Sequence, residues 1–294
     1  MSYDEMMYND YISYLQDTSN SKCLAPECPN KAINSHITSK KVLKRLAKEG
    51  HVYWIKKEEK CGIKKAYTYP VFCGNHDMVL FKRIDNENYI IGDKEQQFLY
   101  LYRSLAGELV RTRRKIEFIK ERHYITDGKN IMGFSKPPRY MLDAYLFLNK
   151  QFQCLTEALS SEGYEIIESL DIVFDAPYPI CVGQFFSMEY DFYAYPIRDN
   201  RGISLSVFPQ QGKTHIILSW FKEDSDTFQF ISDIVVAANE TDKRIILSML
   251  ILNGCTNIVY SIDYWNSLDK KMRKKILRLY TLEGIEEEIN LFVD

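Results

Sequence analysis

Cys23-Leu24-Ala25-Pro26-Glu27-Cys28 and, after a long gap, Phe72-Cys73-Gly74-Asn75-His76-Asp77 decide the N-terminal fold of this chain. A tetrahedral zinc ion takes four soft N or S donors, usually as two closely spaced pairs. Cys-x4-Cys and Cys-x2-His supply such pairs, and Pro26 and Pro29 stiffen the loop around Cys28. Cys23, Cys28, Cys73 and His76 are therefore read as ligands of one structural zinc. Cys73 is expected to end a strand over 67–72, and His76 to fall in the first turn of a helix over 75–84. The competing reading is a pair of exposed loop thiols and a surface histidine. Cys61, between Lys60 and Gly62, is expected in a loop and is left out because four donors are already found, with substitution for one of them as the alternative.

Around this segment the composition is that of a globular protein. With 294 residues, 46% of them hydrophobic, the chain can form one large domain or two to three small ones. Of seven cysteines, Cys154, Cys181 and Cys255 sit inside apolar patterns and read as buried thiols. Residues 20–85 carry 14 Lys and Arg against six Asp and Glu, a charge of +8, whereas the whole chain carries −2 and the remainder −10. A basic module on an acidic body is the footprint of nucleic-acid contact, although a lysine-rich solvated face gives the same pattern. The first residues show no basic and apolar leader, and the longest apolar run, around 245–252, is interrupted by Ser248. It falls short of the ~18 residues of a membrane span. A soluble, cytoplasmic protein without membrane contact is expected.

Residues 1–19 suggest a short helix over 6–15. Phe98, Leu101, Tyr102, Leu105, Leu109, Ile116 and Ile119 have helical spacing over 96–119, and a second helix is expected over 139–161 after Pro137-Pro138. Together they read as an antiparallel hairpin. From 166 the texture turns to β-branched and aromatic runs at 171–174, 180–192, 203–208 and 214–221, separated by turn signals, then to helices over 224–238, 240–253 and 269–279, with a last turn at 285–291. The expected class is α+β: a zinc-binding domain over 1–90, a helical hairpin over 91–165, and a mixed antiparallel sheet with helices over 166–294. The basic run Arg111, Arg113, Arg114, Lys115 offers a phosphate contact, but Glu108, Glu117 and Glu121 dilute it and it reads as a solvated helix face. No Walker loop, dinucleotide fingerprint, Gly-x-Ser-x-Gly elbow or His-Glu-x-x-His motif is present.

A strand, a turn and a helix that starts on its ligands is a treble-clef arrangement. With Ser35-His36 eight residues after Cys28 and Asp77 next to His76, residues 20–85 resemble the HNH (ββα-metal) endonucleases built on a treble clef. The Ser-His step followed by Phe72-Cys73-Gly74-Asn75-His76-Asp77 is similar to a variant group of bacterial proteins in which anti-phage defence is suspected. The resemblance implies that His36 activates water and that Asp77 binds a divalent Mg²⁺ or Mn²⁺ ion. The chemistry is coherent, because a neutral imidazole takes a proton from water and a hard carboxylate oxygen suits such an ion. Lys40, Lys41, Lys44, Lys48, Lys56, Lys57, Lys64 and Lys65 would grip the phosphate backbone.

Family members carry an acidic residue or histidine where this chain has Ser35, and Asn34 and Asn75 are the nearby candidates for the asparagine that orients the base. Asp85, eight residues after Asp77, reads as a solvated helix end or a second acidic ligand. The first expectation is a metal-dependent endonuclease acting on nucleic acid, DNA in preference to RNA. The alternative is a catalytically silent zinc-containing subunit that binds nucleic acid or a protein partner, such as an ATPase or sensor subunit of a larger complex.

Overall fold

The computed structural model describes residues 3–127, 130–188, 197, 201–280 and 289–293. The chain runs through α1 (Tyr3–Leu15), β1 (Asn34–His36), α2 (Lys40–Leu46), β2 (His51–Trp54), β3 (Glu59–Gly62), β4 (Thr68–Pro70), α3 (Gly74–Leu80) and α4 (Lys82–Asn86). It continues through α5 (Lys94–Arg122), β5 (Tyr124–Asp127), β6 (Asn130–Gly133), α6 (Arg139–Ser160), β7 (Ile167–Phe174), β8 (Ile180–Ser187), β9 (Gly202–Gln210) and β10 (Lys213–Phe221). The last elements are α7 (Ser225–Ala237), α8 (Glu240–Gly254), β11 (Ile258–Tyr260), α9 (Ile262–Ser267) and α10 (Lys270–Tyr280). The α+β class stands. No described helix is long and apolar enough to cross a membrane.

Seven strands form one antiparallel sheet in the order β3-β2-β11-β8-β9-β10-β7. Alternation along the strands gives it two apolar faces. On β10, Ile216, Leu218 and Trp220 enter one core while Ile217 and Phe221 enter the other. Helix α5 crosses the second face, with α1 and α6 packed on it and the cysteine-bearing segment beside it, whereas α7 to α10 supply the core on the first. The α5-facing side of the sheet is built small. Ser204 meets Ser104 of α5 at 2.7 Å, Oγ to Oγ. Gly107 of α5 leaves room for Ile37, whose Cδ1 would stand 2.5 Å from a Cβ there.

Several elements differ in extent from the sequence reading. Strand β1, Asn34–His36, pairs with β4 so that His36 faces Thr68. The helix expected over 75–84 breaks into α3 and α4 at Phe81, which is fully buried against Phe72 and Tyr102. Strands β2 and β3 come from the basic segment, yet β2 pairs with β11 and extends the main sheet. Between α5 and α6 lies a hairpin, β5-β6, for which the Asp127-Gly128 step was the available signal. Arg111 and Arg114 are not the solvated face expected. Arg111 pairs with Glu108 at 2.5 Å, and Arg114 donates to the Tyr14 carbonyl at 2.7 Å. Of the turn expected at 285–291, residues 285–288 lie outside the described residues.

Candidate metal centre

Two loops deliver the donors. At the first, Cys23 N–H donates to Asn30 O at 3.1 Å and Cys28 N–H to Ala25 O at 3.2 Å, so the chain folds back within one turn. Glu27 takes the left-handed conformation at φ 56°, which aims Cys28 back toward Cys23. Leu24 N–H donates to Val71 O at 3.0 Å and Ile33 N–H to Phe72 O at 2.8 Å, which ties this knuckle to the chain entering α3. Cys73 is the N-cap of α3, and His76 lies in its first turn.

Cys23, Cys28, Cys73 and His76 converge with all donor atoms within 4.8 Å of one another. Metal–sulfur bonds of about 2.3 Å and metal–nitrogen bonds of about 2.05 Å imply tetrahedron edges of about 3.8 Å between sulfurs and about 3.6 Å between sulfur and nitrogen. Cys28 Sγ lies 3.9 Å from Cys73 Sγ, and His76 Nδ1 lies 3.5 Å from Cys23 Sγ and 3.2 Å from Cys73 Sγ. Geometry and donor softness both fit a metal ion such as zinc. The backbone N–H of His76 holds the Cys73 thiol down at about 6, whereas burial pushes Cys23 up to about 11. Cys61 lies on β3, outside this group, with its Sγ 3.7 Å from Gly62 O.

Beside the centre, α3 and β1 bring a second set of groups together. His36 Nε2 lies 2.7 Å from Ile63 O. A carbonyl only accepts, so Nε2 carries the proton and the lone pair rests on Nδ1. Burial lowers the His36 pKa, the Ile63 carbonyl opposes this, Arg103 and Lys40 add to the lowering, and Asp77 opposes it. The imidazole is therefore neutral at pH 7. Asp77 Oδ1 is buried without a hydrogen-bond partner, with Arg103 Nη2 4.0 Å away.

Arg103, a residue the sequence reading missed, is the cation at the centre of this cluster. It reaches from α5 to bind both carboxylate oxygens of Asp85 at 2.7 Å, and its guanidinium lies 4.1 Å above the Phe81 ring. Asp85 is thus neither the solvated helix end expected nor a free ligand, because both its oxygens serve Arg103. Ser35 is buried, and Asn34 donates to Gln16 O at 2.9 Å. Asn75 is exposed on α3.

Among the expected phosphate contacts, Lys40, Lys44, Lys48, Lys64 and Lys65 are exposed. Lys41 donates to Asn86 O at 3.0 Å, and Lys48 pairs with Asp263 at 2.7 Å. Lys56 is a correction: at 6% exposure its side chain is inside the fold, because the turn after β2 points it inward. The side chain of Lys57 lies outside the described residues. No family model, curated protein or solved structure matches this chain.

Proposed function

We propose that the chain is a metal-dependent, HNH-like endonuclease that hydrolyses nucleic-acid phosphodiester bonds. One observation carries the reading: beside a treble-clef-like zinc centre, His36 is held through Nε2, which leaves Nδ1 as its basic atom, and Asp77 Oδ1 is buried with no hydrogen bond, its nearest cation Arg103 standing 4.0 Å away. His36, neutral at pH 7, takes the proton of an attacking water through Nδ1. Asp77 would hold a Mg²⁺ or Mn²⁺ ion, which would supply charge neutralisation at the scissile phosphate and at the leaving oxygen. Lys40, Lys44, Lys64 and Lys65 hold the backbone without reading bases. Cys23, Cys28, Cys73 and His76 hold the structural zinc that fixes α3, and hence Asp77, against β1. The same resemblance extends the proposal to anti-phage defence.

The locked state of Asp85 favours a second reading, in which Asp77 as the one remaining carboxylate, itself 4.0 Å from Arg103, is too few and the module only binds nucleic acid or a protein partner. Purified wild type and His36→Ala, incubated with Mg²⁺ or Mn²⁺ and plasmid DNA, single-stranded DNA or RNA, separate the two. The nuclease reading expects cleavage by wild type, at least 10²-fold slower in the variant, consistent with loss of general-base catalysis of roughly 10²–10⁴. Absence of cleavage by wild type, with a gel shift retained, overturns it in favour of the binding module.

A further inference from the structure

We propose that the exposed basic face of α10 is a second nucleic-acid contact surface, one that grips phosphate without reading bases. It stands on a different observation from the His36–Asp77 reading. Lys-Lys-Met-Arg-Lys-Lys-Ile-Leu-Arg-Leu-Tyr places six Lys and Arg among the 11 residues of α10 and no acidic residue. At about 100° per residue, Lys270, Lys274, Arg278, Lys271 and Lys275 share one face, and Met272 and Ile276 lie on another. Lys270, Lys271, Lys274 and Arg278 are exposed.

A basic amphipathic helix suits either a membrane surface or a polyanion. Membrane binding needs the apolar face free to enter the lipid headgroup region. Here Ile276 is fully buried and Met272 and Leu277 pack against the same core, so that face is already occupied. Only charge is left to a partner. Among the described residues no carboxylate pairs with Lys270, Lys271 or Lys274, and Asp269 is engaged in capping, accepting Met272 N–H at 2.6 Å. Like charges four residues apart destabilise a helix. The sequence therefore carries Lys270 with Lys274 at a cost to α10 itself. A polyphosphate backbone relieves this repulsion and returns condensed counterions to solution. The core that holds Ile276 is on the face of the sheet opposite the core that holds Cys23 and Cys73.

The test is fluorescence anisotropy of the full chain with a labelled 30-nucleotide DNA, single-stranded and duplex, over 50–200 mM KCl without divalent ions, so that binding is read whether or not the protein cleaves. Combining Lys270→Ala, Lys271→Ala and Lys274→Ala is expected to lower the slope of log affinity against log salt by about 2–3, and affinity at 0.1 M salt by about 10²-fold. A control combining Lys120→Ala, Lys136→Ala and Lys150→Ala, which removes the same charge from other exposed positions, is expected to keep the wild-type slope. Circular dichroism of both variants should match wild type. The proposal is overturned if wild type binds neither DNA, if the α10 variant keeps the slope, or if the control loses as much. Tighter binding to phosphatidylserine vesicles than to DNA, lost in the α10 variant, also overturns it.

Discussion

Arg103 carries a full charge at 3% exposure, and its neutralisation rests on Asp85 with Asp77 as a more distant second carboxylate. Asp85→Asn leaves a buried guanidinium with one carboxylate 4.0 Å away. Breaking a buried pair costs about 3–5 kcal/mol, and the partial cover from Asp77 sets the expectation at about 3 kcal/mol in urea unfolding. Burial raises the Asp85 pKa, and the charge and hydrogen bonds of Arg103 outweigh it and hold the carboxyl below 3.8. A depressed folded pKa means that the stabilisation is complete above the unfolded value and is lost as pH falls through the folded one. Wild type should therefore lose stability below about pH 4 more steeply than Asp85→Asn, and parallel melting curves from pH 3 to 5 would refute the pairing. His36 obeys the same sign. Its pKa lies below 6.5 because burial disfavours the imidazolium, so the acid limb of any cleavage should be centred below pH 6.5. An acid limb centred above 6.5 would remove His36 from the base role. The four metal donors were legible because each pair is local in sequence. Arg103 was not, since its partner is 18 residues away on another helix and no spacing rule joins them.

At the level of elements, the cluster depends on how closely β1 approaches α5. Ile37 follows His36 directly and rests on Gly107, where a Cβ would stand 2.5 Å from Ile37 Cδ1 and 3.0 Å from Cγ1. Ile37 is itself buried and has nowhere to turn. Gly107→Val is therefore expected to cost about 1–3 kcal/mol through overpacking. It should also displace His36 relative to Asp77, so any cleavage should fall more than the loss of folded protein accounts for. A variant as stable as wild type in urea would show that α5 and β1 are not in close contact. The α5 and α6 patterns were readable because their apolar residues recur over many turns. The shorter β5-β6 hairpin was missed, each strand having only four residues. The break between α3 and α4 is set by Phe81 packing under Arg103, a tertiary effect that local propensity does not contain.

The metal centre is joined to the rest of the molecule by more than chain continuity. Strands β2 and β3 lie at one end of the seven-stranded sheet, and the core that includes Cys23 and Cys73 runs without a break from Tyr11 to Val259. Tyr67 donates its hydroxyl to the Gly183 carbonyl of β8, and Tyr69 donates to Asn257 at 3.4 Å, so β4 and its flank are tied to the sheet. This coupling was hidden from sequence reading because it rests on pairing between residues near 53 and residues near 260. Metal binding contributes directly to folding when the unfolded chain has no preformed site. Chelation should then lower the midpoint of one cooperative thermal transition, not remove a small separate one, and Cys28→Ser should do the same while binding less than one zinc per chain. Cys61→Ser should keep both zinc and midpoint, since Cys61 lies outside the donor group. A low-temperature transition lost on chelation, with the main transition unmoved, would show that the metal-bearing segment folds by itself. Zinc loss in Cys61→Ser with retention in Cys28→Ser would instead reassign the ligand.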